Sequence, residues 1–99
     1  MMEVHVCNHD GTVLRAFALG DSDEVVIGRD PHCDIRIESK SVSREHCSIE
    51  RQGAEFLLRD LGSTGGTWAD GSRLDKIRVR PGLVVTVGPA LLKFFETDV

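Results

Sequence analysis

A six-residue stretch rich in glycine and hydroxyl side chains has the composition of a loop that binds an anion: residues 62–67 read Gly-Ser-Thr-Gly-Gly-Thr. Its glycines allow unusual backbone angles and let another molecule approach the main chain closely. The hydroxyl groups of Ser63 and Thr64 can donate hydrogen bonds to an oxyanion. Short apolar-alternating runs on both sides place the stretch on a loop between strands, where binding groups often lie. By itself, such a loop is only a weak indication of function.

Two stretches upstream strengthen this indication. Gly28-Arg29 follows a short apolar run, and residues 43–46 read Ser-Arg-Glu-His. Arg29 offers a planar guanidinium with five donors, the side chain best matched to a phosphate or a carboxylate. Ser43 adds a hydroxyl donor, and Arg44 adds a second cation. A dianionic phosphate is bound by such donors arriving from several directions and needs no enzymatic base. The three stretches together therefore predict a phosphate site.

The elements that would position these residues are short strands. Every apolar segment is brief and ends at Gly, Pro, Asp or Asn, and no stretch has the period and length of a helix. The pattern predicts an all-β fold, a β-sandwich of about eleven short, mostly antiparallel strands forming one domain over residues 1–99. Loops at one end of a sandwich cluster, so three distant loops could meet there. The predicted strands are residues 3–7, 13–19, 25–27, 35–37, 46–51, 55–59, 67–69, 72–74, 77–80, 83–87 and 91–95.

Composition limits the possible partners. The chain has 99 residues, of which 40% are hydrophobic and 28% charged, as in an ordinary globular domain. Its net charge of −4 argues against a nucleic-acid module, which usually has a basic face. With no apolar run of membrane-spanning length and no charged-then-apolar leader, we expect a soluble, cytoplasmic protein without a membrane partner. Three cysteines at irregular spacing predict free thiols rather than a disulfide framework.

The order of the motifs resembles the forkhead-associated (FHA) domain. The matching residues are Gly28-Arg29, Ser43-Arg44-x-His46, Asp60-Leu61-Gly62-Ser63-Thr64-x-Gly66-Thr67 and Asp70-Gly71. The resemblance runs from the first strand to Phe95, and its motifs are specific because they share order, spacing and strand-loop context. It implies an eleven-stranded β-sandwich that is not an enzyme and that reads phosphothreonine in partner proteins.

The resemblance also implies roles for individual residues. Arg29, Ser43 and Thr64 would bind the phosphate oxygens, and Arg44 would contribute from the same loop as Ser43. Gly65 would lie in the phosphopeptide-binding set at the position that contacts the ligand's main chain. The residues expected to shape the loops without touching the ligand are Gly28, His46, Gly62, Ser63, Gly66 and Thr67.

Gly65 departs from the family pattern, which has asparagine at this position. In the family, that asparagine tethers the ligand's main chain and braces the adjoining loops, and glycine has no side chain for either task. Unpaired main-chain groups on the ligand would cost about 1–3 kcal/mol, or roughly ten- to a hundredfold in affinity. Two functions therefore stand side by side: a phosphothreonine-dependent signalling adaptor, acting on a substrate of a Ser/Thr kinase, and an FHA-like scaffold that binds partners without phosphate.

Other interpretations of the same residues remain open at this stage. Arg29 could be a surface arginine paired with Asp30 or Asp34. Arg44 could be a solvated loop cation. His46 could be a general base in a hydrolase, although chain length and the lack of α/β alternation oppose this.

A metal site is the remaining alternative. His5, Cys7 and His9 alternate and could hold a metal on one strand face, but no fourth ligand is evident. We therefore expect no metal and no cofactor.

Overall fold

The computed structural model describes residues 1–97, which form eleven strands in two sheets. Within these residues no helix is long and apolar enough to cross a membrane. The predicted β-sandwich is confirmed, and every predicted strand lies within two residues of an observed one. The prediction of one domain over residues 1–99 includes Asp98 and Val99, which lie outside the described residues. The strands are β1 (Met2–Asn8), β2 (Val13–Ala18), β3 (Glu24–Gly28), β4 (Ile35–Arg36), β5 (Cys47–Gln52), β6 (Glu55–Asp60), β7 (Thr67–Ala69), β8 (Ser72–Arg73), β9 (Lys76–Arg78), β10 (Val84–Val87) and β11 (Ala90–Glu96).

The eleven strands are divided between a six-stranded and a five-stranded sheet. One sheet has six strands in the order β2-β1-β11-β10-β7-β8, and the other has five in the order β4-β3-β5-β6-β9. Paired strands run antiparallel except β3 and β4, which pair in parallel through Ile27 with Ile35 and Gly28 with Arg36. The chain leaves the five-stranded sheet at β6 and enters the six-stranded sheet at β7. The glycine-rich loop at 61–66 is therefore a crossover between the sheets.

The hairpin predicted at Asp70-Gly71 is present between β7 and β8. Ala69 pairs with Ser72, and the two residues between them have φ angles of 50° and 77°. Positive φ at both central positions is the geometry of the tight turn whose twist matches that of paired strands. This turn brings Arg73 opposite Trp68, close to the glycine-rich loop.

The core lies between the two sheets and is apolar. Four buried residues are polar, and three of them, His46, Ser63 and Thr67, belong to the sequence motifs. No buried side-chain nitrogen or oxygen in residues 1–97 lacks a hydrogen-bond partner. The buried polar groups therefore organise the motif loops rather than the body of the core. The largest fully buried apolar side chains are Phe94, Leu19, Ile27, Ile35, Ile49, Leu58 and Leu92.

The loops that carry the motifs meet at one end of the sandwich. They are the β3–β4 loop (29–34), the β4–β5 loop (37–46) and the β6–β7 loop (61–66). The β10–β11 turn packs beneath the second of them. An ideal Cβ on Gly88 would lie 2.8 Å from Val42 Cγ2 and 2.9 Å from Ser41 Oγ. The fold thus brings together residues that are 35 positions apart in sequence, from Arg29 to Thr64.

Leu92 tests the contribution of this core. Leu92→Ala removes a side chain that is 0% exposed, so we expect the free energy of unfolding to fall by about 2–5 kcal/mol in urea titrations. Leu14→Ala is the matched control, because Leu14 is 65% exposed on the edge strand β2 and should change stability by less than about 0.5 kcal/mol. Equal losses in both variants would contradict the assigned core.

Candidate functional site

Backbone hydrogen bonds join the β3–β4 loop to the β4–β5 loop. The Arg29 N–H donates to the Ser43 carbonyl at 3.0 Å, and the Asp30 N–H donates to the Arg44 carbonyl at 3.1 Å. An ideal Cβ on Gly28 would lie only 2.1 Å from the Arg44 oxygen. Any side chain at Gly28 would force the two loops apart, so close approach of the backbone, rather than an unusual φ angle, requires glycine here.

The Arg29 side chain is half-buried and directed by the main chain. Its Nε donates to the Val42 carbonyl at 3.0 Å, and within residues 1–97 no carboxylate lies within 4.0 Å of its guanidinium. The carboxylates of Asp30 and Asp34 instead accept the N–H groups of His32 and Val26, each at 2.8 Å. The pairing of Arg29 with Asp30 or Asp34 is therefore wrong. The terminal guanidinium nitrogens remain available to an anion.

His46 links the two loops on which the hydroxyl residues lie. The Ser43 N–H donates to His46 Nδ1 at 3.1 Å, and His46 Nε2 lies 2.8 Å from the Gly66 carbonyl oxygen. Because a backbone N–H can only donate and a carbonyl can only accept, the proton of the neutral ring resides on Nε2. The ring is 0% exposed and both nitrogens are occupied. His46 is thus a loop-bridging residue, and its geometry excludes the general-base interpretation.

Ser43 and Thr64 are in direct contact across the site. The Thr64 N–H donates to Ser43 Oγ at 3.1 Å, which leaves the Ser43 hydroxyl proton free to point elsewhere. Thr64 is exposed, and its hydroxyl makes no hydrogen bond to any residue from 1 to 97. The structure therefore brings Arg29, Ser43 and Thr64 together. Arg44 is exposed on the same loop as Ser43 and has no carboxylate within 4.0 Å among the described residues.

Asp60, which the sequence reasoning did not include among the site residues, organises the glycine-rich loop. Its Oδ2 accepts the N–H groups of Gly62 and Ser63, each at 3.1 Å. Its Oδ1 accepts the Ser63 hydroxyl at 2.6 Å and the Thr67 hydroxyl at 2.7 Å. Burial raises the pKa of Asp60, but the hydrogen bonds from Ser63 and Thr67 outweigh it and hold the pKa below its usual value. An aspartate two residues before a glycine in a turn was the signal for this role.

Ser63 is directed inward rather than toward a ligand. It is 3% exposed, and besides donating to Asp60 its hydroxyl accepts the Gly66 N–H at 3.0 Å. The Ser63 hydroxyl is therefore not available to an oxyanion, and its inward hydrogen bonds agree with the loop-shaping role that the resemblance implies. Gly62 and Gly66 have φ angles of 70° and 85°, which glycine adopts without strain.

Trp68 and Arg73 support the outer side of this loop, and neither was expected at the site. Trp68 Nε1 donates to the Gly65 carbonyl at 2.9 Å, and Arg73 Nη2 donates to the Ser63 carbonyl at 2.8 Å. An ideal Cβ on Gly66 would lie 2.9 Å from both Trp68 Nε1 and Arg73 Nε. Gly66 therefore makes room for both side chains. The sequence alone does not reveal this contact, because it forms only when the β7–β8 hairpin folds back against the loop.

Gly65 is exposed and its φ angle is not positive. An ideal Cβ here would lie 3.3 Å from the Ser41 carbonyl oxygen, a tight contact that a shift of a few tenths of an ångström would relieve. The backbone at this position therefore accepts a side chain other than hydrogen. The loop geometry does not itself demand glycine.

The residues of the alternative metal site, His5, Cys7 and His9, do not belong to any metal-holding cluster of described residues. His5 Nε2 lies 3.0 Å from Glu3 Oε1, an ordinary contact along strand β1. Across residues 1–97, no group of three or more His, Cys, Asp or Glu side chains could hold a metal ion.

Comparison with known proteins identifies the family. The FHA domain model matches residues 25–88, which contain all three motif loops. The chain therefore belongs to the FHA domain family. Members of this family are protein-interaction modules rather than enzymes and typically bind phosphothreonine.

Relatives and solved structures agree with this assignment. The chain is 40% identical over 63 residues, 63% of its length, to the human proliferation marker protein Ki-67. It is 32% identical over 74 residues, 75% of its length, to the glycogen accumulation regulator GarA of Mycolicibacterium smegmatis. These matches cover 2% and 47% of the two relatives, so the chain spans less than half of either.

A structure from a structural and functional analysis of phosphothreonine-dependent FHA domain interactions superimposes with a TM-score of 0.82. The two chains are 27% identical, and the match covers 98% of this chain and 99% of that one.

Asp60 supplies a stability test with a defined pH dependence. Because the folded pKa is lowered, the stabilisation is fully present above about pH 4 and is lost as the pH falls through the folded pKa. Asp60→Asn replaces one accepting carboxylate oxygen with an amide group that can only donate, so some of the N–H and hydroxyl donors around it lose their acceptor. We therefore expect a loss of about 1–3 kcal/mol in the free energy of unfolding at pH 7. The difference from wild type should shrink as the pH falls below about 4 and through the lowered folded pKa. Urea titrations at pH 7 and through this acidic range measure it.

Asp75→Asn is the control for Asp60→Asn, because the Asp75 side chain is exposed and makes no hydrogen bond within residues 1–97. Its main-chain carbonyl, which the substitution keeps, accepts the Asp60 N–H at 2.8 Å. Asp75→Asn should change stability by less than about 0.5 kcal/mol. A pH-independent difference for Asp60→Asn would contradict the assigned role.

Proposed function

We propose that this domain is a phosphothreonine-dependent protein-interaction module that captures the phosphate with Arg29, Ser43 and Thr64. The observation that carries the proposal is the Arg29 guanidinium, held at Nε by Val42 and free of carboxylate partners within residues 1–97. The hydroxyl side chains of Ser43 and Thr64 lie on the neighbouring loops, which are joined by the hydrogen bond from the Thr64 N–H to Ser43 Oγ. Arg44 adds a second cation from the same loop as Ser43.

The mechanism is charge-assisted capture with little reorganisation. Arg29 is oriented before the ligand arrives, so less side-chain entropy is lost on binding than for a freely rotating arginine. Its terminal N–H groups pair with the phosphate oxygens, while the Ser43 and Thr64 hydroxyls donate from the opposite loops. An unmodified threonine offers no negative charge to Arg29, so phosphorylation acts as the switch. The partner is therefore the phosphorylated product of a Ser/Thr kinase.

The relatives support this assignment without supplying the partner. The structurally similar domain analysed for phosphothreonine-dependent interactions has a nearly complete match to this chain. GarA, which shares 32% identity, is named a regulator. A regulatory adaptor whose output is a protein complex agrees with both and with the interaction-module family.

Arg29→Ala tests the phosphate site directly. Calorimetric titration should compare a degenerate phosphothreonine peptide pool with the same pool unphosphorylated. We expect wild-type protein to bind only the phosphorylated pool. Arg29→Ala should lose about a hundredfold in affinity, as for removal of charge-assisted hydrogen bonds worth about 3 kcal/mol.

Arg29→Lys serves as the control for charge, because it keeps the cation but loses the planar fork and should retain weak binding. Circular dichroism of each variant checks that the domain remains folded. Unchanged phosphopeptide affinity in a folded Arg29→Ala protein would disprove the phosphate site.

A phosphate-independent scaffold is the second candidate, and Gly65 is the observation that favours it. The side-chain contact that family members make to the ligand's main chain has no counterpart at this position. The phosphate donors remain in place on the neighbouring residues, so we place the phospho-dependent function first.

Gly65→Asn separates the two functions. The φ angle is not positive and the nearest obstacle is the Ser41 carbonyl, 3.3 Å from an ideal Cβ, so we expect the asparagine to be accommodated. Restoring main-chain contacts to the ligand should then raise phosphopeptide affinity by about tenfold in the same titration. Gly65→Ala adds the Cβ without the amide and controls for backbone stiffening. Absence of phosphopeptide binding in both wild type and Gly65→Asn would favour the scaffold.

A further inference from the structure

Arg73 is a second guanidinium at the edge of the glycine-rich loop. It lies on strand β8, opposite Trp68, and is exposed. Its Nη2 donates to the Ser63 carbonyl at 2.8 Å, which uses one of its five N–H donors. No carboxylate within residues 1–97 lies within 4.0 Å of its guanidinium. The side chain is thus oriented by the loop, and its charge is not neutralised by a described neighbour.

The loop is built to hold Arg73 in this place. A Cβ on Gly66 would lie 2.9 Å from Arg73 Nε and 3.1 Å from its Cδ, so the guanidinium lies against a position where only glycine leaves room. The Trp68 indole, bound to the Gly65 carbonyl, occupies the other side of Gly66. A freely moving surface arginine would have no such constraint. Ordering before binding lowers the entropy cost of recognising an anion.

Arg73 is within reach of a peptide whose phosphate is bound at Thr64. Arg73 contacts the carbonyl of Ser63, the residue directly before Thr64, and adjacent Cα atoms are about 3.8 Å apart. An extended peptide advances about 3.3 Å per residue. A peptide bound at Thr64 therefore needs only a few residues to bring a side chain to the Arg73 guanidinium.

We propose that Arg73 forms a second anion-binding subsite and selects partners that carry an acidic group within a few residues of the phosphothreonine. This proposal rests on the phosphothreonine-dependent function proposed above. The acidic group is an oxyanion, either the carboxylate of Asp or Glu or the phosphate of a second phosphorylated residue, and a planar guanidinium pairs with both.

The test compares three sets of synthetic phosphothreonine peptides by fluorescence anisotropy. In the first set all flanking residues are uncharged. In the second, Asp or Glu replaces one residue at each of the four positions on either side of the phosphothreonine in turn. The third has phosphoserine at the same positions. At about 20 mM salt we expect wild type to prefer at least one acidic peptide over the uncharged one by about three- to fivefold, the range of an exposed ion pair. The preference should decline at about 500 mM salt because screening shortens the reach of the charges.

Arg73→Gln should abolish this preference and leave the affinity for the uncharged peptide within about twofold. Arg80→Gln is the matched control. Arg80 is also exposed and without a carboxylate within 4.0 Å in the described chain, but it makes no hydrogen bond to the glycine-rich loop within residues 1–97 and lines a groove with Met1 and Glu96. The Arg80→Gln variant removes the same charge as Arg73→Gln, but its affinities for all three peptide sets should match those of wild type. A greater preference for phosphoserine than for Asp and Glu would assign the subsite to a second phosphate, and the reverse to a carboxylate.

Three results would overturn the proposal. In the first, wild type binds all phosphothreonine peptides with equal affinity. In the second, Arg73→Gln lowers the affinities for acidic and uncharged peptides by the same factor, as a purely structural role predicts. In the third, Arg80→Gln reduces the preference for acidic peptides as much as Arg73→Gln does. Phosphopeptide binding that requires Arg29 but shows no acidic preference would reject the Arg73 subsite alone. Absence of any phosphopeptide binding to wild type would reject the phosphothreonine function and the subsite with it.

Discussion

The site depends on one buried ring. His46 accepts the Ser43 N–H on one side and donates to the Gly66 carbonyl on the other, so the β4–β5 and β6–β7 loops are joined through its imidazole. A buried polar group without a partner costs about 1–3 kcal/mol. The ring is therefore satisfied only when both loops are in their observed places, and the geometry of the proposed phosphate donors is tied to the packing of the core.

The remaining contacts consolidate this arrangement from each side. Close approach of the Arg44 carbonyl to Gly28 aligns the first two loops, and Asp60 gathers four hydrogen bonds within the third. The donors that these structural bonds leave free are the terminal nitrogens of Arg29 and the hydroxyl groups of Ser43 and Thr64, which we propose bind the phosphate. Structural bonds use main-chain groups and inward side chains, which leaves the outward side chains for recognition.

The sequence predicted the fold well because strand alternation and turn residues are local signals. The Asp70-Gly71 turn needs positive φ at two successive residues, and that requirement is visible in the residue types alone. The convergence of Arg29, Ser43 and Thr64 followed from motif order and the resemblance to a family. The roles of Asp60 and Arg73 did not, because they depend on how a turn closes and on how a hairpin folds back against it. Residue type alone does not distinguish Ser63 from Thr64; the resemblance assigned them different roles, and the inward hydrogen bond of Ser63 to Asp60 gives the physical reason.

The glycine-rich loop is the segment through which the chain crosses from the five-stranded to the six-stranded sheet. A ligand held by Arg29 and Ser43 on one side and by Thr64 on the other therefore bridges segments that lead into different sheets. Such a ligand would link the two sheets and oppose their separation. Since a ligand that binds only the folded state adds its binding free energy to stability, a partner at a hundred times its Kd would add about 2.7 kcal/mol to the free energy of unfolding. Occupancy by a partner would thus protect the domain from thermal unfolding and from proteases that cleave the opened chain.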